Sequence, residues 1–204
     1  MAKIIYIGGN KGGSGKTSVA HLLCTGLALL NRTAALVTTD NRPLRSSQGR
    51  PYNILDGREG KALAALIEAA TRSKDDAYLV IDGGATRHGE FDKTISKFAA
   101  LFLIPFTACI EDMELASAYC LEHTHSFVVP NRWTTNSMAA KADKVLLDQM
   151  EEALPRRVMP PVPDTRGSGM LLENEIIAKD INTRTRNVAR ALAINVLEKL
   201  LSVG

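Results

Sequence analysis

Residues 8–18 read Gly8-Gly9-Asn10-Lys11-Gly12-Gly13-Ser14-Gly15-Lys16-Thr17-Ser18, a run of glycines broken by two lysines and closed by hydroxyl side chains. Glycines at this density let successive backbone N–H groups turn inward, and such a concavity binds phosphate oxygens. If a helix starts at Lys16, its free amides and dipole add positive potential at the same point. Lys16 then reaches the β- and γ-phosphates, and the Thr17 hydroxyl ligates Mg²⁺. Gly12, Gly13, Ser14, Gly15, Lys16, Thr17 and Ser18 are therefore the candidate nucleotide cradle. A lysine in the first turn of a helix opposes the dipole unless an anion offsets it, which favours a ligand over an empty turn. The general pattern G-x-x-x-x-G-K-[ST] places its first glycine at Asn10, so its strict form fails here.

A second acid-bearing segment is Tyr78-Leu79-Val80-Ile81-Asp82-Gly83-Gly84. Apolar residues ending in an aspartate fit a buried strand that carries a Mg²⁺-holding carboxylate at its tip, with the ion reached through water. Gly83 and Gly84 would let the following loop approach the γ-phosphate. Other chemistry is discounted. His123 and His125 have no acid or thiol at ligand spacing. Cys24, Cys109 and Cys120 sit in or beside apolar stretches and read as buried, inert thiols. Ser14 and Ser18 show no relay that would make a nucleophile.

Lys11-Gly12-Gly13-Ser14-Gly15-Lys16-Thr17 resembles the deviant Walker A motif, K-G-G-x-G-K-[ST], of the ParA/MinD family of ATPases. The resemblance implies ATP and Mg²⁺ as cofactors and slow hydrolysis of ATP to ADP and phosphate. It also implies that Lys11 crosses a nucleotide-sandwich homodimer to the partner's phosphates. Val37-Thr38-Thr39-Asp40-Asn41-Arg42-Pro43 is similar to the family's switch V-D-x-D-P-Q. Asp40 matches its second aspartate, which orients the attacking water and ligands of Mg²⁺. Thr38 replaces the first aspartate, and Asn41-Arg42-Pro43 replaces the Pro-Gln pair. By the same resemblance Lys11, Lys16 and Asp40 are catalytic, and Thr17, Asp40 and Asp82 hold the metal. Asn131 matches the adenine-reading asparagine, with Arg132 beside it, while Pro163 and Asp164 look like the loop over the base. Trp133 either shapes the base pocket or packs.

These residues need a scaffold. Short β-branched runs at Lys3–Ile7, Thr33–Thr38, Tyr78–Ile81, Leu101–Pro105, Ser126–Pro130 and Arg157–Met159 alternate with helical periodicity. The helices expected are Ser18–Leu30, Gly60–Arg72, Phe91–Ala99, Asp112–His123, Met138–Leu154 and about Arg184–Leu201. That alternation predicts an α/β fold, a P-loop NTPase domain with a mostly parallel sheet and helices on both faces. Pro43–Gly57 and Pro160–Gly169 read as mobile surface loops. The 204 residues fit a single domain spanning 1–204, long enough to bury roughly 70% of its unfolded surface. Hydrophobic residues at 45% and charged residues at 23% exclude a disordered or fibrous chain. No apolar run approaches the roughly 18–20 residues of a membrane span, no C-x-x-C occurs and no secretory signal is apparent, so a cytoplasmic protein is expected.

The resemblance implies a ParA-like ATPase that dimerises on ATP and binds DNA without sequence preference. It would act in plasmid or chromosome partition or in conjugative mobilisation, stimulated by a ParB-like or relaxosome-type partner. Arg184, Arg186 and Arg190, within seven residues lacking any acid, are the candidate DNA contacts, and the net charge of +3 permits that partner. Arg186 and Arg190 are expected on one helix face, with Ala193 and Leu197 continuing it. A MinD-like positioner of protein complexes is one alternative. It would use a basic amphipathic C-terminal helix, and residues 195–204 hold one Lys and one Glu, so no membrane partner is expected. A metabolic P-loop ligase or kinase is the other, and it would not need Lys11.

Overall fold

A computed structural model describes residues 1–84, 89–134, 139–176 and 180–203. The chain runs β1 (Lys3–Ile7), α1 (Lys16–Leu29), β2 (Thr33–Thr38), β3 (Asn53–Asp56), α2 (Gly60–Arg72), β4 (Ala77–Asp82) and α3 (Glu90–Ser96). It continues with β5 (Leu101–Phe106), α4 (Ile110–Leu121), β6 (Ser126–Trp133) and α5 (Ala139–Ala153). Then come β7 (Val162–Pro163), α6 (Arg166–Met170) and α7 (Thr183–Val203). The strands form one seven-stranded sheet in the order β3-β2-β4-β1-β5-β6-β7, and the strand pairings are parallel.

Helices cover both faces, so successive strand residues are buried on opposite sides. Ile5 and Ile7 of β1 join the core beneath α1 and α7, whereas Ile4 and Tyr6 join the core beneath α2, α3, α4 and α5. The chain leaves β1 toward β2 on one side and later crosses to β5 on the other. Ligands bind at such a reversal of strand order, outside the carboxyl ends of the strands. That places the glycine loop after β1, the switch after β2 and Asp82 at the end of β4 along one edge of the sheet.

Three expectations need correction. The segment 43–57 is not a loop throughout, because Asn53–Asp56 pairs in register with Ala35–Thr38 of β2. Arg50 also ties this segment down, donating to the carbonyls of Ser46, Leu171 and Glu173. The strand expected at Arg157–Met159 is reduced to one bridge, Val128 to Val158, and the edge strand lies at Val162–Pro163. Pro160 and Pro161 lack the N–H groups a longer ladder would need. Finally, Pro160–Gly169 contains β7 and most of α6, whose first turn is capped by the Thr165 hydroxyl accepting from the Ser168 amide at 3.2 Å. Met138, expected in the helix that begins at Ala139, lies outside the described residues.

Candidate functional site

Gly15 caps α1 in the left-handed region (φ 91°) and offers no side-chain hydrogen bond to the first amides of the helix. A side chain at Gly15 would collide with the Asn131 amide as well as strain the backbone, so both conformation and space demand glycine here. The next residue, Lys16, is 6% exposed. Its ammonium donates to the carbonyls of Gly9 at 3.0 Å and Lys11 at 2.7 Å, and among the described residues it forms no ion pair. Burial pushes its pKa down, and the carboxylates of Asp82, Asp92 and Asp40 oppose the fall. A buried cation held only by carbonyls is a costly arrangement unless an anion joins it.

Asp82 is 1% exposed at the tip of β4, and burial raises its pKa against the opposing hydrogen bond from the Thr17 hydroxyl. Thr38 stands opposite Asp82 in the β2–β4 register, and Thr39 donates from its hydroxyl to the Asp82 carbonyl at 2.7 Å. These contacts fix Asp40 over the same end of the sheet. A Cβ at Gly84, itself at φ 61°, would come within 3.2 Å of the Asp40 backbone, so the end of the β4 segment lies against the switch. Thr17, Asp40 and Asp82 thus come together, with the oxygen donors that suit Mg²⁺.

A cavity of about 240 Å³ opens above this floor. The glycine loop and α1 supply Gly13, Gly15, Lys16, Thr17 and Ser18, and the β2 and β4 segments supply Asp40, Arg42 and Gly84. Arg132 and Leu172 complete it. Sequence reasoning missed Arg42 and Leu172 as lining residues. Arg42 lies 3.4 Å from Asp40 through its Nε atom, and its only sequence signal is a cation two residues past the acid. A larger apolar groove of about 530 Å³ between α2 and α3 has Glu68 and Glu90 as its charges, the wrong sign for phosphate.

The architecture has solved counterparts. MinD from Aquifex aeolicus matches with a TM-score of 0.74 and 17% identity, covering 97% of each chain. MinD from Pyrococcus horikoshii OT3, complexed with Mg-ADP, matches at 0.71 and 15% identity over 100% of this chain and 99% of that one. A putative plasmid partition protein from Borrelia burgdorferi B31, bound to AMPPNP, matches at 0.66 and 16% identity over 98% and 100%. This chain has the ParA/MinD fold. No protein-family model matches the sequence, and no curated protein does.

Within the ParA/MinD fold the remaining expected residues separate. Lys11 is half-buried and pairs with Asp112 at the start of α4, with Glu111 at 3.8 Å. The Asp112 carboxylate beside it holds the Lys11 ammonium above its ordinary value. Asn131 is buried, and its amide donates to the Ser14 carbonyl at 3.0 Å, so it braces the glycine loop from below. The next residue, Arg132, sits at φ 55° where the β6–β7 register shifts, and this bulge turns it into the cavity while Asn131 points inward. Pro163 and Asp164 are not among the described lining residues, and Trp133 packs edge-on against Phe106 at 5.9 Å. Cys24 and Cys120 are buried, but Cys109 is exposed where α4 begins, contrary to expectation. On α7 the buried stripe is Thr185, Ala189, Leu192, Ala193, Val196 and Leu200. Arg184 and Arg190 are exposed and Arg186 is half-buried. The expected face through Arg186, Arg190, Ala193 and Leu197 is therefore split, because the stripe against α1 runs one residue earlier.

Proposed function

We propose that this protein is a Mg²⁺-dependent ATPase of the ParA/MinD type, slow alone and stimulated by a partner protein, that closes into a homodimer around ATP. The buried Lys16 ammonium, with no ion pair among the described residues and next to a helix start whose N-cap glycine offers no side chain, is the observation that carries this reading. The β- and γ-phosphates would supply the missing anion, while the amides of Gly12–Ser18 surround them. Thr17 would hold Mg²⁺ directly and Asp82 through water; when bound, the ion offsets charge that develops on the transferred phosphoryl group. Asp40 would orient the water that attacks the γ-phosphorus as the bond to ADP breaks. The AMPPNP complex of the Borrelia protein and the Mg-ADP complex of Pyrococcus MinD support this choice of ligand.

Lys11 would leave Asp112 and cross to the partner's phosphates, with Arg132, Asn131, Pro163 and Asp164 on the base side. Exposed Arg184 and Arg190 favour DNA, bound without sequence preference, over a membrane as the surface on which the dimer acts. Partition of a plasmid or chromosome, or conjugative mobilisation, is the matching role, and the single domain would work in the cytoplasm. Titration calorimetry with Mg·ATP tests the core of this reading. Lys16→Ala should abolish binding, whereas Lys11→Ala should bind ATP as a monomer and lose the dimer seen by light scattering. Wild-type affinity in Lys16→Ala would overturn the nucleotide site, and a persistent dimer in Lys11→Ala would overturn the sandwich.

A further inference from the structure

Beneath the glycine loop a polar cluster interrupts the core on the α2–α5 face, with the buried His123 ring 4.8 Å from that of Tyr119. Tyr6, next to last in β1, is fully buried and donates its hydroxyl to one carboxyl oxygen of Asp92 on α3. Tyr119 of α4 donates to the other oxygen. Asp92 is 0% exposed and has no ion pair among the described residues. A carboxyl group this deep is tolerable only while both oxygens are hydrogen-bonded, so neither tyrosine can leave cheaply. The same core could be closed by apolar side chains of similar volume, so the cluster contributes a fixed geometry more than stability.

The place of that geometry is specific. A Cβ at Gly8 would lie 2.6 Å from Cε1 of Tyr6, and one at Gly83 would lie 2.5 Å from its Oη. The Tyr6 ring thus abuts the backbone at the two points where the glycine loop and the segment after Asp82 leave the sheet. The Gly83 amide donates to the Ile7 carbonyl at 2.8 Å, one residue beyond Tyr6. Gly84 then lies against Asp40. Any displacement of α3 carries Asp92 with it, and Asp92 can follow only by turning the Tyr6 ring or breaking its bond.

We propose that Tyr6 and Asp92 form a buried clamp that sets α3 and Gly83–Gly84 against the glycine loop, making Asp92 a positioning residue for the γ-phosphate side of the site. The kinetic consequence rests on the ATPase reading above; the clamp itself does not. Tyr6→Phe keeps the ring under Gly8 but removes both the Oη that lies against Gly83 and the bond to α3, whereas Asp92→Asn keeps that Oη and cannot accept from both hydroxyls. Tyr119→Phe is the control, since it removes a bond of the same kind from the α4 side and leaves the Tyr6–Asp92 link.

Amide hydrogen exchange without nucleotide reads the clamp directly. Exchange at Gly83 should quicken by roughly tenfold or more in Tyr6→Phe and stay near wild type in Tyr119→Phe. With saturating Mg·ATP, Tyr6→Phe should lower kcat by about tenfold while changing Kd less than about twofold, the signature of misplacement rather than lost binding. Unaltered Gly83 exchange in Tyr6→Phe would overturn the clamp. So would equal losses of kcat in Tyr6→Phe and Tyr119→Phe, which would reduce the cluster to general stability. A wild-type protein that turned over no ATP would remove the proposed function, and Gly83 exchange would still decide the clamp.

Discussion

Burial drives Lys16 down and Asp82 up, each toward its neutral form, and the attraction between them opposes both shifts. Two buried charges near the end of one strand pair are arranged for a ligand that brings its own charges. Asp40 differs from them: it is half-buried at the wall of the cavity, with Arg42 at 3.4 Å. On the proposed ATPase reading its contribution would be placement of a water, so Asp40→Ala should keep Mg·ATP affinity and the ATP dimer while slowing phosphate release by about 10²–10⁴-fold. Rapid turnover by that variant in a phosphate-release assay would show that Thr38-Thr39-Asp40 is not the switch. Lys16, Thr17 and Asp82 were legible in the sequence because the chemistry of a phosphate loop is written in adjacent positions and Asp82 ends an apolar strand. Asp40, two residues past β2, was instead placed by its resemblance to the switch motif. Asn131 was not legible as a brace, since its contact with Ser14 joins residues 117 apart through the β6 bulge. Arg42 was seen only as a departure from a pattern, because lining a cavity depends on the fold around it.

Among the elements, β1, β2 and α2 match their sequence boundaries because each carries a clear period and stop signals. The elements missed are short ones: β3 and β7 at the sheet edges, and the helix α6. Four residues of β3 and two of β7 hold too little alternation to separate from loop, and their pairing partners alone make them strands. What fixes the β3 segment to the core is equally non-local. His21 on α1 meets the Tyr52 hydroxyl through Nδ1 at 2.7 Å, and Arg50 extends the contact to the carbonyls beyond α6. Burial above all, with the charges of Arg50 and Arg45, lowers the His21 pKa from 6.5 to about 3. The unfolded chain therefore takes a proton near pH 6.5 that the folded chain refuses until about pH 3. Above pH 6.5 the group is neutral in both states and stability is independent of it. Between those values each unit of acidification should cost about 1.4 kcal/mol from this residue. Replacing His21 with Gln should flatten urea-denaturation stability between about pH 6.5 and 5 relative to wild type. Equal slopes in the two proteins would mean that His21 already titrates in the fold.

At the scale of the whole molecule, Lys11 and α7 make claims on different surfaces. Lys11 is tied to α4 beside the cavity, where a second copy would have to draw it away from Asp112. The α7 helix packs its apolar stripe on α1, and Arg184 and Arg190 project to solvent from its first two turns. A cation near a helix start is opposed by the dipole, a cost that phosphates outside the protein would offset. On the proposed reading an ATP dimer would double the cations that one copy offers, which is how a nucleotide would control attachment. DNA binding should then require ATP, ignore sequence and weaken steeply with salt, each neutralised phosphate adding about 0.9 to the slope of log affinity against log salt. Replacing Arg184 and Arg190 together with Ala should flatten that slope by roughly two to four units per dimer. Fluorescence anisotropy on duplexes of unrelated sequence, repeated across a salt series, measures it, with light scattering confirming that the ATP dimer persists. A slope equal to wild type would place the DNA surface away from α7. Absence of ATP-dependent DNA binding in the wild type would instead favour a cycle that positions protein complexes, because the same switch and dimer would remain without a nucleic-acid surface to act on.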